Sequence, residues 1–146
     1  MTAFLTGPTM QHASLLLLRV TTAGLMFWWG LAKAMNTGVG QGVSNKYYAG
    51  AFTQDLLLTA FGGAQAVAAV LIALGAFRGI LLPFQFAVNL FVAIVVWQSI
   101  ADPFWMWMGG EQPETVNTLF YPSAVVAAAS LVLIALRRQD RWAVMP

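Results

Sequence analysis

Residues 13–35 read ASLLLLRVTTAGLMFWWGLAKAM, and within this run only Arg19 and Lys33 are charged. A hydrocarbon layer about 30 Å thick requires roughly 20 helical residues to cross it. The run meets that length, and it must be helical in lipid because unpaired backbone groups find no hydrogen-bonding partner there. It is also longer than the apolar core of a signal peptide, which has about 7–15 residues. We therefore predict a retained transmembrane helix.

The composition of the whole chain agrees with this prediction. Of its 146 residues, 60% are hydrophobic and 8% are charged, whereas soluble domains carry about 25% charged residues. Three further apolar runs are long enough to cross a bilayer, at about residues 55–77, 80–101 and 118–137. We predict one all-α transmembrane domain over residues 1–146, an integral membrane four-helix bundle.

The basic residues predict how the bundle is oriented. With four spans, the N-terminus, the short link near residue 78 and the C-terminus lie on the same side of the membrane. That side carries most of the arginines: Arg78, Arg137, Arg138 and Arg141. Because Lys and Arg are enriched on the cytoplasmic side, we predict that both termini are cytoplasmic. The longer connections, about 36–54 and 102–117, then face outward, and the chain is a multi-pass protein of the plasma (inner) membrane.

The residue types exclude several kinds of chemistry. The chain has no cysteine, which excludes disulfides, thiolate metal sites and iron–sulfur clusters. His12 is the single histidine, so the chain alone cannot build a bis-histidine haem or a facial-triad metal site. The basic residues are scattered and resemble no nucleic-acid footprint. We expect no metal, no covalent cofactor and no nucleic-acid partner.

Two charges lie within the first span. At 100° per residue, Arg19 and Lys33 fall on one helical stripe with Ala23, Met26 and Gly30. Ionisable groups at membrane depth are costly and are functional candidates. Two interpretations stay open: the cations face a cavity or a partner, or they extend to the two membrane interfaces.

Lys33 also has two candidate counter-ions. Asp55 and Asp102 fall at the outer ends of their spans, at the level of Lys33. Either carboxylate could neutralise the ammonium group. Each is equally explained as an ordinary helix-terminal residue.

Amide side chains occupy the second and third spans. Gln65 lies on the second span, and Gln85 and Asn89 share a face of the third. Such groups either form interhelical hydrogen bonds, worth about 0.6 kcal/mol each, or recognise a ligand that carries carbonyl groups, such as a quinone. The ligand-binding candidates are therefore Arg19, Lys33, Gln85, Asn89 and Trp29.

Aromatic residues concentrate in the predicted outer half. All three tyrosines and every tryptophan except Trp142 map there. An interfacial belt is one explanation. The run FWMWMGG at 104–110 is too short to span and too apolar for a free loop, which equally indicates docking on a partner. The partner-binding candidates are Trp105, Trp107, Tyr47 and Tyr48.

Small residues on the second span suggest close helix packing. Ala60, Ala64 and Ala68 recur at every fourth position, and such rows let helix backbones approach each other. The row fits a packing seam inside the bundle or an interface with another subunit.

The first span resembles that of the DoxX-like family of small membrane proteins. The resemblance rests on LLLRV at 16–20, GLMF at 24–27 and GLAK at 30–33. It implies a four-helix membrane protein in which Arg19, Gly30 and Lys33 occupy the motif positions. Some members form the membrane part of a thiosulfate:quinone oxidoreductase, and others look like accessory subunits of redox systems. The resemblance carries no catalytic residue to this chain.

Three functional hypotheses follow. The first is a small non-catalytic membrane subunit that anchors or completes a larger redox or respiratory complex through its outer loops and helix faces. The second is a quinone-binding subunit of a thiosulfate:quinone-type oxidoreductase. The third is a carrier of a small solute or lipid, with Arg19 and Lys33 along its path. Because the chain has no electron carrier of its own, catalysis would require a partner, which favours the first hypothesis.

Overall fold

The computed structural model describes residues 7–104, 106–108 and 120–145, and these ranges fold into helices and their connections. The helices are α1 (Pro8–Met35), α2 (Thr37–Tyr47), α3 (Asp55–Leu74), α4 (Arg78–Val95), α5 (Trp97–Ala101) and α6 (Tyr121–Ala135). The prediction of an all-α protein is confirmed.

Three of the helices are long and apolar enough to cross a membrane: α1, α3 and α4. The fourth apolar helix, α6, has 15 residues within the described ranges. Large apolar side chains point outward from the long helices, among them Leu17, Leu56 and Ile80 at 65%, 83% and 73% exposed. A soluble protein would bury such groups, whereas lipid accommodates them. These features confirm a membrane protein.

Several helix bounds differ from the predicted spans. The first helix begins earlier, at Pro8, where the missing N–H of proline costs little. The second span ends at Leu74 instead of residue 77, because Gly75 adopts the left-handed conformation with φ of 78°. The third was predicted over 80–101, but α4 covers Arg78–Val95 and is separated from α5 at Val96. The predicted start of the fourth span near 118 lies outside the described residues.

The predicted outer connection, 36–54, contains a helix of its own. Asn36 separates α1 from α2, which runs back over the end of the bundle and packs on α3. A Cβ placed on Gly40 would lie 2.7 Å from the Leu58 side chain, so α2 approaches α3 closely. The Ser44 hydroxyl accepts a 2.8 Å hydrogen bond from the Phe52 backbone N–H. This bond fixes the connection between α2 and α3.

α1 and α3 contact each other through two glycines. A Cβ on Gly30 would lie 2.7 Å from the Gly62 carbonyl oxygen, and a Cβ on Gly62 would lie 2.6 Å from the Gly30 carbonyl oxygen. Backbones meet here without side chains between them, the arrangement that small residues permit in membrane bundles. Of the predicted row, Ala68 is buried in the core, whereas Ala60 and Ala64 are exposed and take no part in this contact. Their role in an interface with another subunit stays a prediction.

α4 and α6 form the second pair. Gln85 is fully buried and donates a 2.9 Å hydrogen bond to the Ser130 hydroxyl. Ser130 in turn donates to the Val126 carbonyl at 2.7 Å, within its own helix. The two pairs meet in one apolar core: Leu15, Ala23, Met26, Ala68, Ala69, Ile72, Leu82 and Leu133.

One end of the bundle is closed by buried charges. Arg19 is 1% exposed and pairs with Asp140, which is 4% exposed. Its guanidinium also donates to the carbonyl of Ala73 at 3.2 Å and to that of Trp142 at 2.7 Å. Arg78 adds a second cation, 3.4 Å from the same carboxylate. We call this the inner end; it joins α1, the α3–α4 turn and the segment 136–145.

The structure excludes one of the two interpretations of Arg19. Its side chain points to the inner end and does not face a cavity, because it is enclosed by Ala73, Asp140 and Trp142. Arg19 is a structural cation that ties three segments together.

We expect Gly62→Ala to destabilise the protein and Gly63→Ala to leave its stability unchanged or slightly higher. The new methyl group at 62 would overlap the Gly30 carbonyl, whereas nothing lies within 4 Å of a Cβ at 63. Overpacking costs about 1–3 kcal/mol, while Gly→Ala in a helix gains up to about 1 kcal/mol. Thermal unfolding of both variants in the same detergent checks this. Equal midpoints would contradict the close α1–α3 contact.

Candidate functional site

A cavity of about 520 Å³ lies in the half of the bundle opposite the inner end. We call it the outer cavity. It is bounded by α1, α2, α3 and α4, and by Phe120 and Ser123 at the start of the α6 region. Most of its lining is apolar: Leu25, Met26, Val39, Val43, Leu57, Leu58, Phe61, Phe84, Val88, Phe91 and Val92. The glycine contact between α1 and α3 and the cover provided by α2 position these walls.

Lys33 is the charged group of the cavity. Its ammonium donates a 2.9 Å hydrogen bond to the Gln65 amide oxygen and lies 5.2 Å from the centre of the Phe61 ring. The Gln65 amide is oriented by a 3.3 Å bond from its Nε2 to the Met26 carbonyl. An ammonium group has three donors. Lys33 therefore retains donor capacity for a ligand while Gln65 holds it in place.

Asn89 lines the cavity from α4, a different wall from that of Lys33. Its Nδ2 donates a 2.8 Å hydrogen bond to the Gln85 backbone carbonyl, one turn earlier in the same helix. This bond uses one of the two N–H donors of the amide. The cavity thus places a cation and an amide on separate walls around an apolar volume.

Aromatic rings complete the lining. Trp29 stacks on Phe120, with ring centres 6.3 Å apart and an angle of 23° between the rings. Tyr48 stacks on Phe91 at 5.9 Å and 13°. Burial raises the pKa of the Tyr48 hydroxyl above its ordinary value of 10.0, so this hydroxyl stays protonated at neutral pH and can donate a hydrogen bond.

The structure brings together part of the predicted site. Lys33, Asn89 and Trp29 line the outer cavity, and so does Tyr48, which was predicted as a partner-binding residue. Arg19 lies at the inner end instead, for the reasons given above.

Two other candidates also lie apart from the cavity lining. Gln85 faces Ser130 between α4 and α6, and its Oε1 is buried without a partner among the described residues. Tyr47 contacts the Phe120 ring at 4.9 Å and lies 3.5 Å from the Ser99 hydroxyl.

The proposed partners of Lys33 are engaged elsewhere. Asp55 accepts a 2.8 Å hydrogen bond from the Gln41 side chain. Asp102 accepts from the backbone N–H groups of Met106, Trp107 and Met108, at 2.6–2.8 Å. In these bonds neither aspartate contacts Lys33. The ammonium group is instead bound by Gln65.

The Asp102 bonds shape an exposed apolar segment. Phe104, Met106 and Trp107 are 58%, 68% and 82% exposed. Trp105 lies outside the described residues. The carboxylate holds the backbone that follows α5, so these side chains project from the outer end of the bundle.

Sequence reasoning missed two important residues. Gln65 was left out of the ligand-binding candidates, although its interhelical hydrogen bond orients Lys33. Asp140 was not considered, although it is the carboxylate shared by the buried arginines. A signal for it was present, since Asp140 lies in the run RRQDR at 137–141, where a lone acid among arginines has abundant partners.

No family model, curated protein or solved structure matches the chain. Fold and site together define an all-α membrane protein with an apolar cavity of ligand size, in which polar donors occupy separate walls. Membership of the DoxX-like family stays a prediction from the first span.

Proposed function

We propose that the chain is a small integral membrane subunit whose outer cavity binds an apolar molecule with carbonyl groups, of the quinone class. The observation that carries this proposal is the cavity of about 520 Å³, with Lys33 held by Gln65 on one side and Asn89 on α4. Cavities that bind small molecules typically measure about 300–1,000 Å³ and are mostly apolar, with a few oriented polar groups.

The chemistry of a quinone fits these walls. Its ring is flat and apolar and packs against aromatic side chains such as Trp29 and Tyr48. Its oxygens accept hydrogen bonds, and Lys33, Asn89 and Tyr48 all carry donors. An ammonium group near a quinone oxygen also stabilises negative charge that develops there on reduction.

Electron transfer requires a partner subunit, because the chain lacks the residues that hold an electron carrier. Without cysteine, and with one histidine, it cannot hold an iron–sulfur cluster or a bis-histidine haem by itself. We therefore place the chain in a larger redox complex, of the thiosulfate:quinone oxidoreductase kind implied by the resemblance of its first span. Another subunit supplies the electrons, and this chain holds the quinone.

We expect Lys33→Met and Asn89→Leu to weaken the binding of decylubiquinone by roughly tenfold each, because each removes a hydrogen-bond donor from the cavity. The purified full-length protein in mild detergent is titrated with decylubiquinone, and quenching of Trp fluorescence is measured. Lys46→Met and Gln98→Leu are the controls, since both residues are exposed and outside the cavity lining.

Two outcomes would overturn the proposal. One is the absence of saturable quenching in the wild-type protein; the other is equal weakening by cavity and control variants. If no quinone binds and no subunit copurifies, while liposomes containing the protein pass solutes or lipid, the carrier hypothesis takes its place.

The exposed segment after α5 supports a second role, as a docking element for the rest of the complex. Trp107 is 82% exposed and lies beside the exposed Phe104 and Met106. Contiguous exposed apolar groups outside the membrane-spanning helices are typical of interaction sites. Docking and quinone binding are compatible, because the segment and the cavity lining share no residue.

We expect a stoichiometric partner to copurify from native membranes with the wild-type chain and to be lost with Trp107→Ser. Removal of a buried interface tryptophan typically costs more than about 2 kcal/mol. Trp28→Ser is the control, because Trp28 is 67% exposed on the membrane helix α1. Loss of the partner with both variants, or with neither, would contradict docking through this segment.

We also infer four spans, with both termini in the cytoplasm and the chain in the plasma membrane. One support is α6, a 15-residue apolar helix without a charged residue. Another is the set of contacts that gathers the first half of α1, the α3–α4 turn and the segment 136–145 at one end. The arginines of the chain lie at this end, which the positive-inside rule assigns to the cytoplasm.

The cysteine-free chain allows a direct test of this orientation. We expect a membrane-impermeant maleimide added to intact cells to label Lys46→Cys and to spare Arg141→Cys. Both residues are exposed, and they lie at opposite ends of the bundle. Arg141→Cys should become labelled once the membrane is permeabilised, which serves as the internal control. Labelling of Arg141→Cys alone in intact cells would reverse the orientation.

A further inference from the structure

A second concave surface lies at the inner end, far from the outer cavity. It has a volume of about 630 Å³ and lies between the start of α4 and the segment 136–145. Its charged lining consists of Arg78, Arg137, Arg138, Asp140 and Arg141. We call it the basic pocket. Four arginines against one aspartate make it strongly electropositive.

The aspartate of the pocket does not neutralise the exposed arginines. Asp140 is 4% exposed, and its carboxylate is engaged by Arg19 and Arg78 from within the protein. Two buried cations already share this one negative charge. Arg137, Arg138 and Arg141 are exposed, and within the described lining they face no other acidic residue.

The inner wall of the pocket is held in place by hydrogen bonds from the Arg78 side chain to backbone carbonyls. The Arg78 guanidinium donates to the carbonyls of Arg137 and Asp140, both at 2.9 Å, and to that of Met145 at 2.9 and 3.2 Å. The chain therefore curves around Arg78 and leaves the neighbouring arginine side chains outside. A Cβ on Gly79 would lie 3.1 Å from a guanidinium nitrogen of Arg137, so the glycine gives that arginine room over the first turn of α4.

The pocket lies at the ends of two apolar helices. α4 begins at Arg78 and α6 ends at Ala135, and the end of an apolar helix is where a transmembrane segment meets the headgroup region. Apolar side chains on the same segment are exposed beside it, Trp142 by 48% and Val144 by 70%. Arginines next to exposed tryptophan and aliphatic groups are typical of a surface in contact with the membrane interface.

We propose that the basic pocket binds the phosphate group of an anionic phospholipid. A guanidinium presents a planar fork of N–H donors that fits phosphate oxygens in a bidentate manner. Basic pockets at the ends of transmembrane helices bind anionic headgroups by the same chemistry. The proposal is independent of what occupies the outer cavity and of which side of the membrane the inner end faces.

The test uses the purified full-length protein in detergent, with dissociation constants measured by native mass spectrometry. The wild type should bind dioctanoyl-phosphatidylglycerol more tightly than dioctanoyl-phosphatidylcholine, which carries the same phosphate beside a neutralising choline. Arg141→Gln should weaken binding of phosphatidylglycerol by roughly fivefold, and the triple replacement of Arg137, Arg138 and Arg141 by Gln by roughly 100-fold. Lys46→Gln, an equal change of charge at the outer end, should have no effect.

A competition with inorganic phosphate separates the two sources of a phosphate group. If phosphate displaces phosphatidylglycerol, the pocket recognises the phosphate itself; if it does not, the acyl chains contribute and the ligand is a lipid. Either result supports the proposed site when the arginine variants lose binding. Equal affinity for the two lipids, or equal weakening by Lys46→Gln and Arg141→Gln, would overturn it. The single variant keeps the test valid if the triple variant fails to fold.

Discussion

Arg19 and Arg78 lie inside the inner end of the bundle and share the carboxylate of Asp140. A charge removed from water is tolerated only when it is paired and its remaining hydrogen-bonding groups are satisfied. The carbonyls of Ala73, Trp142 and Met145 meet this second requirement. Because the participants come from α1, the α3–α4 turn and the last ten described residues, their pairing joins segments that apolar contacts alone would leave free to slide.

The opposite end of the bundle is built on a different constraint. Gly30 and Gly62 let α1 and α3 touch through their backbones. α1 and α3 are antiparallel, so Lys33 lies one turn outward of the glycine contact and Gln65 one turn inward. Side chains lean toward the N-terminus of their own helix, and the long lysine side chain therefore reaches back across the contact to the Gln65 amide. Space then remains on the α4 side, where α2 covers it and Asn89 faces it. The outer cavity is this volume, bounded by the α1–α3 pair on one side and by α4 on the other.

The two ends therefore use their polar groups in different ways. At the inner end the buried charges are paired within the protein, and only the exposed arginines are accessible to a ligand. In the outer cavity the polar groups are few, and Lys33 and Asn89 retain hydrogen-bonding capacity toward an apolar volume. This difference is why we assign a small apolar ligand to the outer cavity and a phosphate group to the inner surface.

The amino-acid sequence by itself determined the membrane class, the approximate positions of the long apolar helices and the stripe that holds Arg19 and Lys33, because run length and helical periodicity are local properties. It did not predict α2, which was expected to be part of a connection. It also indicated that Lys33, Asn89 and Trp29 could serve one site. Only the tertiary structure decided the partners. Arg19 meets Asp140 across 121 positions of sequence, and Lys33 meets Gln65 instead of Asp55 or Asp102. Such pairings depend on which helices approach each other closely. For α1 and α3, the packing of Gly30 against Gly62 sets this approach. The residue pattern of either helix alone does not reveal it.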